Sequence, residues 1–273
     1  MYYTYDDTPK GTVLESILQL LFPMGTYCIC CGKYVDITRP YCICDTCMEA
    51  INWGFITIDL EEERKRSGRT FYLDSALSCM VYGLHSKRLV FDLKYNKKTY
   101  LVRPISMIME DRLRSDETLY GFIESLDYVV PVPLHSERLK KRGFNQAALI
   151  SENLAHRLAK ATNSSSPSYL PCLKRNKQTI EQRSVTGGQR FTNLEGAFSL
   201  DTKYESKLKD ARLLLIDDIF TTGATADRCA RILKEAGASE VHLLSLTTGN
   251  YYLKGSFRPR GDEEFLSSIY TSP

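Results

Sequence analysis

Leu214-Leu215-Ile216-Asp217-Asp218-Ile219-Phe220-Thr221-Thr222-Gly223-Ala224-Thr225 is the segment around which the rest of the chain is organised. Its short apolar run predicts a buried strand. Two carboxylates follow where that strand is expected to end, then hydroxyls and one glycine. An apolar pattern at helical spacing comes next, through Cys229, Ala230, Leu233 and Ala236, closed by Gly237. A strand, a polar turn and a helix N-terminus together direct unpaired backbone N–H groups outward, and the helix dipole favours an anion there. Gly223 is expected to let the backbone approach a ligand. The acid pair repels phosphate, but it can accept hydrogen bonds from sugar hydroxyls or sit near a magnesium ion. A ribose 5-phosphate would satisfy both halves. The same residues are also compatible with a Thr/Asp-capped turn that holds no ligand.

The 273 residues suffice for one sizeable domain and a small appendage, and 43% apolar with 25% charged residues is ordinary for a globular protein. A net charge of +3 is too small to announce a nucleic-acid partner, but the charge is unevenly spread. Between His135 and Arg190, eleven Lys/Arg stand against three Glu, a local positive field suited to pyrophosphate or a nucleic-acid backbone. No apolar run reaches membrane-spanning length. No signal peptide is expected. Leu14, Ile17, Leu18 and Leu21 predict a short amphipathic packing helix instead. The cysteine usage does not resemble a secreted disulfide framework, so a reducing cytoplasm is the expected compartment.

Cys28, Cys31, Cys44 and Cys47 form two C-x-x-C pairs with twelve residues between them. Each pair can offer two thiolates from a tight turn, and two such knuckles supply the four ligands of a closed structural zinc site. Cys30 and Cys42 are surplus to that matched set. The few apolar residues nearby (Tyr27, Tyr34, Val35, Ile37, Ile43) are too few to hold a fold without metal.

Glu61 to Arg69 is charged and is expected to mark a boundary. Ala76 to Tyr82 predicts a strand, and Leu89, Val90, Leu93, then Ile105, Ile108, Met109, predict helices on either side of Lys94-Tyr95. Leu126 to Pro133 predicts a buried strand ended by prolines. The basic segment Arg138-Leu139-Lys140-Lys141-Arg142-Gly143-Phe144-Asn145-Gln146 precedes another helix, through Ala147, Ile150, Leu154 and Leu158. A basic loop at a strand's carboxyl end is where an open α/β sheet places its ligand, so this loop is expected beside Asp217–Thr225. The stretch from Leu173 to Phe198, with Gly187-Gly188, reads as a mobile lid, and Val241 to Leu246 as a final strand. None of His85, His135, His156 and His242 stands out as a general base.

The Asp217–Thr225 segment resembles the phosphoribosyl-pyrophosphate (PRPP) loop of type I phosphoribosyltransferases. Over about residues 20–250 the chain resembles the ComF family. The resemblance rests on the two cysteine knuckles, Leu93-Lys94-Tyr95, Pro131-Val132-Pro133 with Arg142-Gly143-Phe144-Asn145-Gln146, the stretch from Gln182 through Arg190 and Asn193 to Gly196-Ala197-Phe198, and Asp217 through Thr225. It implies an α/β fold: a mainly parallel type I phosphoribosyltransferase-like sheet flanked by helices, with a zinc ribbon at the N-terminus. The expected division is 1–60 for the N-terminal helix and ribbon, 70–250 for the main domain, and 251–273 for a frayed tail. The resemblance further implies a cytoplasmic competence protein that supports uptake of transforming single-stranded DNA, with the helicase ComFA and the single-strand handling protein DprA as partners. If the fold is enzymatically active, Thr221, Thr222, Gly223, Ala224 and Thr225 would cradle the 5-phosphate of PRPP. Asp217 and Asp218 would hold the ribose hydroxyls. Magnesium and the 131–146 loop, with Arg138 and Arg142, would receive pyrophosphate. Two functions therefore stand side by side: a competence adaptor and a magnesium-dependent phosphoribosyltransferase with an unknown acceptor.

Overall fold

A computed structural model describes residues 25–36, 39–53, 56–58, 60–68, 70–114, 117–161, 164–176 and 196–249. The expected N-terminal helix, the 251–273 tail and most of the expected lid, including Gln182, Arg190 and Asn193, lie outside the described residues. The first half runs β1 (Gly25–Tyr27), β2 (Tyr34–Asp36), α1 (Asp45–Ala50), β3 (Ile56–Thr57), α2 (Leu60–Ser67), β4 (Ser75–Val81), α3 (Leu84–Tyr95), α4 (Val102–Arg114) and α5 (Glu117–Glu124). The second half runs β5 (Tyr128–Pro131), α6 (Ser136–Arg142), α7 (Gln146–Ala161), β6 (Ser168–Tyr169), β7 (Leu173–Arg175), β8 (Phe198–Leu200), β9 (Arg212–Phe220), α8 (Ala224–Glu235) and β10 (Glu240–Thr248).

The central sheet has the order β3-β4-β10-β9-β5-β6. All its pairings are parallel except that of the edge strand β3 with β4. Because helices cover both faces, the central strands are apolar on both sides. Leu214 and Ile216 of β9 face a core built with Leu89, Leu93, Ile105, Met109, Ile150 and Leu154. Leu213 and Leu215 face the opposite core, with Cys229, Ala230 and Leu233 of α8. This is the mainly parallel, helix-flanked α/β sheet expected from the sequence.

Most of the charged stretch Glu61 to Arg69 is helical, as α2, which ends at Gly68 in the left-handed region (φ 67°). One expectation is corrected: β9 does not stop before its acids. It runs to Phe220 because the neighbouring β10 pairs with it as far as Thr248, and backbone pairing along a buried ladder outweighs the low strand propensity of aspartate.

The cysteine-bearing segment does not stand apart. Ile29, Val35, Tyr41, Ile43, Met48 and Ile51 belong to the same core cluster as α3, α4 and α7. Tyr41, 3% exposed, donates its hydroxyl to Asp111 Oδ2 of α4 at 2.6 Å. Burial pushes the Asp111 carboxyl up, and this hydrogen bond draws it back. Tyr41→Phe keeps the ring but removes the donor of a poorly solvated acid. It is expected to cost about 1–3 kcal/mol in denaturant unfolding while leaving bound metal unchanged. An unshifted midpoint would show that the contact contributes nothing to docking.

Candidate functional site

β5 and β9 end side by side, and Val132 N–H extends their ladder by donating to Ile216 O at 3.0 Å. The chain then passes through the short helix α6, whose Lys140, Lys141 and Arg142 fall in its last turn. It stops at Gly143, in the left-handed region at φ 88°. Asn145 fixes the return. Its Nδ2 donates to Val132 O at 3.0 Å, and its Oδ1 accepts from Ala147 N at 3.2 Å to start α7. The basic loop is thereby stitched to the strand end beside β9.

A cleft of about 440 Å³ lies there. Asp217, Asp218, Thr221, Thr222, Gly223, Ala224, Thr225, Arg138 and Arg142, all expected from the sequence, line it together. No side chain caps α8, so the amides of its first turn have no acceptor within the helix. Gly223 sits at φ 72°, but its small size serves the protein itself. An added Cβ would meet Phe220 Cζ at 2.9 Å and Phe71 Cε1 at 3.3 Å. This internal cause stands beside the expectation that the glycine lets the backbone approach a ligand, since Gly223 also lines the cleft.

The acids are also arranged differently from two neighbours in a turn. They lie in a strand, where consecutive side chains point to opposite faces. Asp218 shares the face of Leu214 and Ile216, and its Oδ2 meets Lys94 Nζ at 2.6 Å. Asp217 shares the face of Leu213 and Leu215, near Cys229 and Arg175. Its Oδ1 accepts the Asp218 N–H at 2.8 Å. Burial and the Asp218 carboxylate push Asp217 up to about 7, while Lys94 and Arg175 pull in the other direction.

Lys94, Tyr95, Gln146 and Arg175 also line it and were not among the expected site residues. Lys94-Tyr95 carried a signal as part of the family motif, without a role. Arg175 lies in a stretch with no periodicity, and only β7 reveals it. Arg142 donates to Gln146 Oε1 at 3.0 Å and covers the Tyr95 ring at 5.2 Å. Four cations thus face two carboxylates in the cleft, which resolves how an anion can approach an acid pair. No histidine lines it. His135 caps α6, accepting from Glu137 N at 3.3 Å, and His242 Nδ1 lies 2.6 Å from Ser75 Oγ.

The second site is the cysteine set. The Sγ atoms of Cys28, Cys31, Cys44 and Cys47 all lie within 4.8 Å of one another, with Cys31 and Cys44 at 3.6 Å. A tetrahedron with metal–sulfur bonds of about 2.3 Å has sulfur–sulfur edges of roughly 3.8 Å, so the donors fit a four-coordinate metal with no open position. Gly32 N–H closes the first knuckle on Cys28 O at 2.9 Å, and Cys44 occupies the N-cap of α1 in the second. Burial raises the Cys28 thiol, but the amides of Cys44, Cys31 and Cys30 outweigh it and bring it down to about 7. Cys30 is 1% exposed, and burial with its sulfur neighbours pushes it up to about 12. It is a core residue, and neither it nor Cys42 belongs to the ligand set.

No protein-family model matches the chain. Among curated proteins, competence protein F of Haemophilus influenzae is 28% identical over 158 residues, covering 58% of this chain and 66% of that protein. Competence protein ComFC of Bacillus subtilis is 36% identical over 109 residues, covering 40% of this chain and 39% of that protein. The chain is similar to ComF-type competence proteins. DNA utilization protein YhgH of Salmonella typhimurium is 29% identical over 158 residues, covering 58% of this chain and 65% of that protein. The chain thus spans just under two thirds of the length of competence protein F and of YhgH. Among solved structures, the glutamine PRPP amidotransferase of B. subtilis complexed with ADP and GMP is similar at 18% identity and a TM-score of 0.32, over 53% of this chain and 26% of that one. The fold assignment of the chain rests on its own strand order. Among its described residues, no helix is long and apolar enough to cross a membrane.

Proposed function

We propose that this chain is a ComF-like competence protein. In this reading it supports the uptake of transforming single-stranded DNA in the cytoplasm, and its cleft binds a ribose phosphate of the PRPP type. One observation carries the cleft reading: an acid pair, an uncapped helix N-terminus and a basic loop line a single cavity at the carboxyl end of a parallel sheet. The helix amides and the Thr222 and Thr225 hydroxyls receive the 5-phosphate, the carboxylates receive sugar hydroxyls, and Arg138 and Arg142 receive further negative charge. The cysteine set holds zinc, the metal its four thiolates fit best, in a structural role. The competence setting is carried over from the similar proteins, and ComFA and DprA are the partners this reading names.

Four cations are more than one phosphate needs, which favours a pyrophosphate-bearing ligand and, with it, a second reading as a transferase. In that reading the ribose C1–oxygen bond breaks, pyrophosphate leaves with the bonding electrons, and an acceptor takes its place. The chain's residues position the ribose and stabilise the leaving charge, and magnesium when bound would neutralise pyrophosphate.

Calorimetric titration of PRPP with magnesium tests the cleft. Wild type is expected to bind, and Asp217→Ala/Asp218→Ala to weaken binding by at least about a hundredfold, the scale of two lost charged hydrogen-bond acceptors. A wild type that binds nothing overturns the cleft reading. Pyrophosphate release across a panel of bases separates transferase from adaptor.

A further inference from the structure

The acid pair carries its own counter-ion. Lys94 Nζ lies 2.6 Å from Asp218 Oδ2, and both side chains are 16% exposed, so water screens them less than it screens a surface pair. Lys94 is held in place. It belongs to the last turn of α3, where a cation suits the helix dipole, and it follows Leu93, which is 1% exposed in the core. The neighbouring turn is fastened by Asp92, which accepts from Asn96 Nδ2 at 2.6 Å and from Lys98 Nζ at 2.8 Å. On the other face of β9, Arg175 lies near Asp217.

A magnesium site built on these acids fits poorly. The two carboxylates point to opposite faces of one strand, and one of them is already engaged by an ammonium group. Among the described residues, the cysteines are the only grouping of three or more potential metal ligands. Magnesium prefers near-octahedral oxygen coordination, and a lysine beside the carboxylate works against it.

We propose that Lys94 is a positioning residue that acts through Asp218. It does the neutralising work that a divalent cation would otherwise do, and it holds the carboxylate in the orientation that receives a sugar hydroxyl. The inference rests on the ribose-phosphate reading of the cleft and specifies its ligand: the ribose 5-phosphate half binds without a divalent ion. Magnesium is left to a pyrophosphate group, if the ligand carries one.

The test uses the full chain, with zinc content verified, in magnesium-free buffer. Ribose 5-phosphate and inorganic phosphate are titrated into wild type, Lys94→Met and Lys94→Arg. Wild type is expected to bind ribose 5-phosphate without magnesium. Lys94→Met is expected to lose about tenfold for ribose 5-phosphate but less than about threefold for inorganic phosphate, which makes no hydroxyl contact. Lys94→Arg, which keeps the charge and can reach the same carboxylate, is expected to restore most of the loss. Equal losses for both ligands would reduce Lys94 to a general positive charge and overturn the proposal, as would an unaffected Lys94→Met. Binding of ribose 5-phosphate by wild type only when magnesium is added overturns this inference alone. No binding with or without magnesium overturns the cleft reading beneath it.

Discussion

Cys47→Ser is expected to release the metal and lower the unfolding temperature of the whole described core, not only of the cysteine-bearing segment. Cys47 is 2% exposed, and a serine hydroxyl is a poor substitute for a thiolate ligand. Three remaining thiolates leave an open, weaker site. The consequence spreads because Cys28, Tyr41, Ile43, Met48 and Ile51 pack in one cluster with Leu89, Met109 and Leu113. Metal binding is folding free energy in such modules. A loss of about 3–5 kcal/mol corresponds to a fall of roughly 6–20 °C for a domain of this size. Elemental analysis and scanning calorimetry read both effects. Cys42→Ser is the control and should keep its metal, since Cys42 is not in the ligand set. Metal loss at an unchanged transition temperature would mean that the cysteine segment folds independently of the sheet.

Gly223→Ala is expected to damage the turn proposed to bind phosphate and the core beneath it together. The residue holds φ at 72°, where an L side chain is strained, and its Cβ would lie 2.9 Å from Phe220. Phe220 has little room to yield, being 2% exposed. The turn is tied down on its other side by Asp227 Oδ1, which accepts from Tyr72 N at 2.5 Å. Backbone strain and steric displacement add to about 1–3 kcal/mol. Because Gly223 is also the N-cap of α8, any shift moves the amides proposed to meet the ligand. Thermal unfolding and ribose 5-phosphate titration should therefore deteriorate in the same variant. A variant with wild-type stability and affinity would show that the turn tolerates the methyl group and that the steric account is mistaken.

Local pattern made much of the molecule readable. The largely apolar runs at Leu77–Val81, Val129–Val130, Leu213–Ile216 and Val241–Leu246 became parallel strands, because strands covered on both faces are near-continuously apolar, with Ser78 and Ser245 buried among them. The helical periods through Ile105, Ile108 and Met109, and through Ile150, Leu154 and Leu158, became buried helix faces. The cysteine spacing named its four partners correctly as a spatial group, since two short knuckles leave little freedom in which sulfurs converge. Where the reading went astray, a partner distant in sequence had intervened. Asp217 and Asp218 were placed after the strand because aspartate alone disfavours one, yet β10 pairs past them. The packing role of Gly223 against Phe71, some 150 residues earlier, likewise left no trace in the local pattern.

Sequence by itself determined the element types, the strand–turn–helix arrangement around Asp217–Thr225 and the cysteine set, all of which arise from periodicity and spacing within a few residues. Tertiary structure decided which charges meet. It set Lys94 on Asp218 and Arg175 near Asp217, sent the two acids to opposite faces of β9, and merged the cysteine segment with the main core. The physical reason is that a carboxylate's ionisation, orientation and availability depend on the charges within a few ångströms of it. Those neighbours are brought there by packing between elements far apart along the chain.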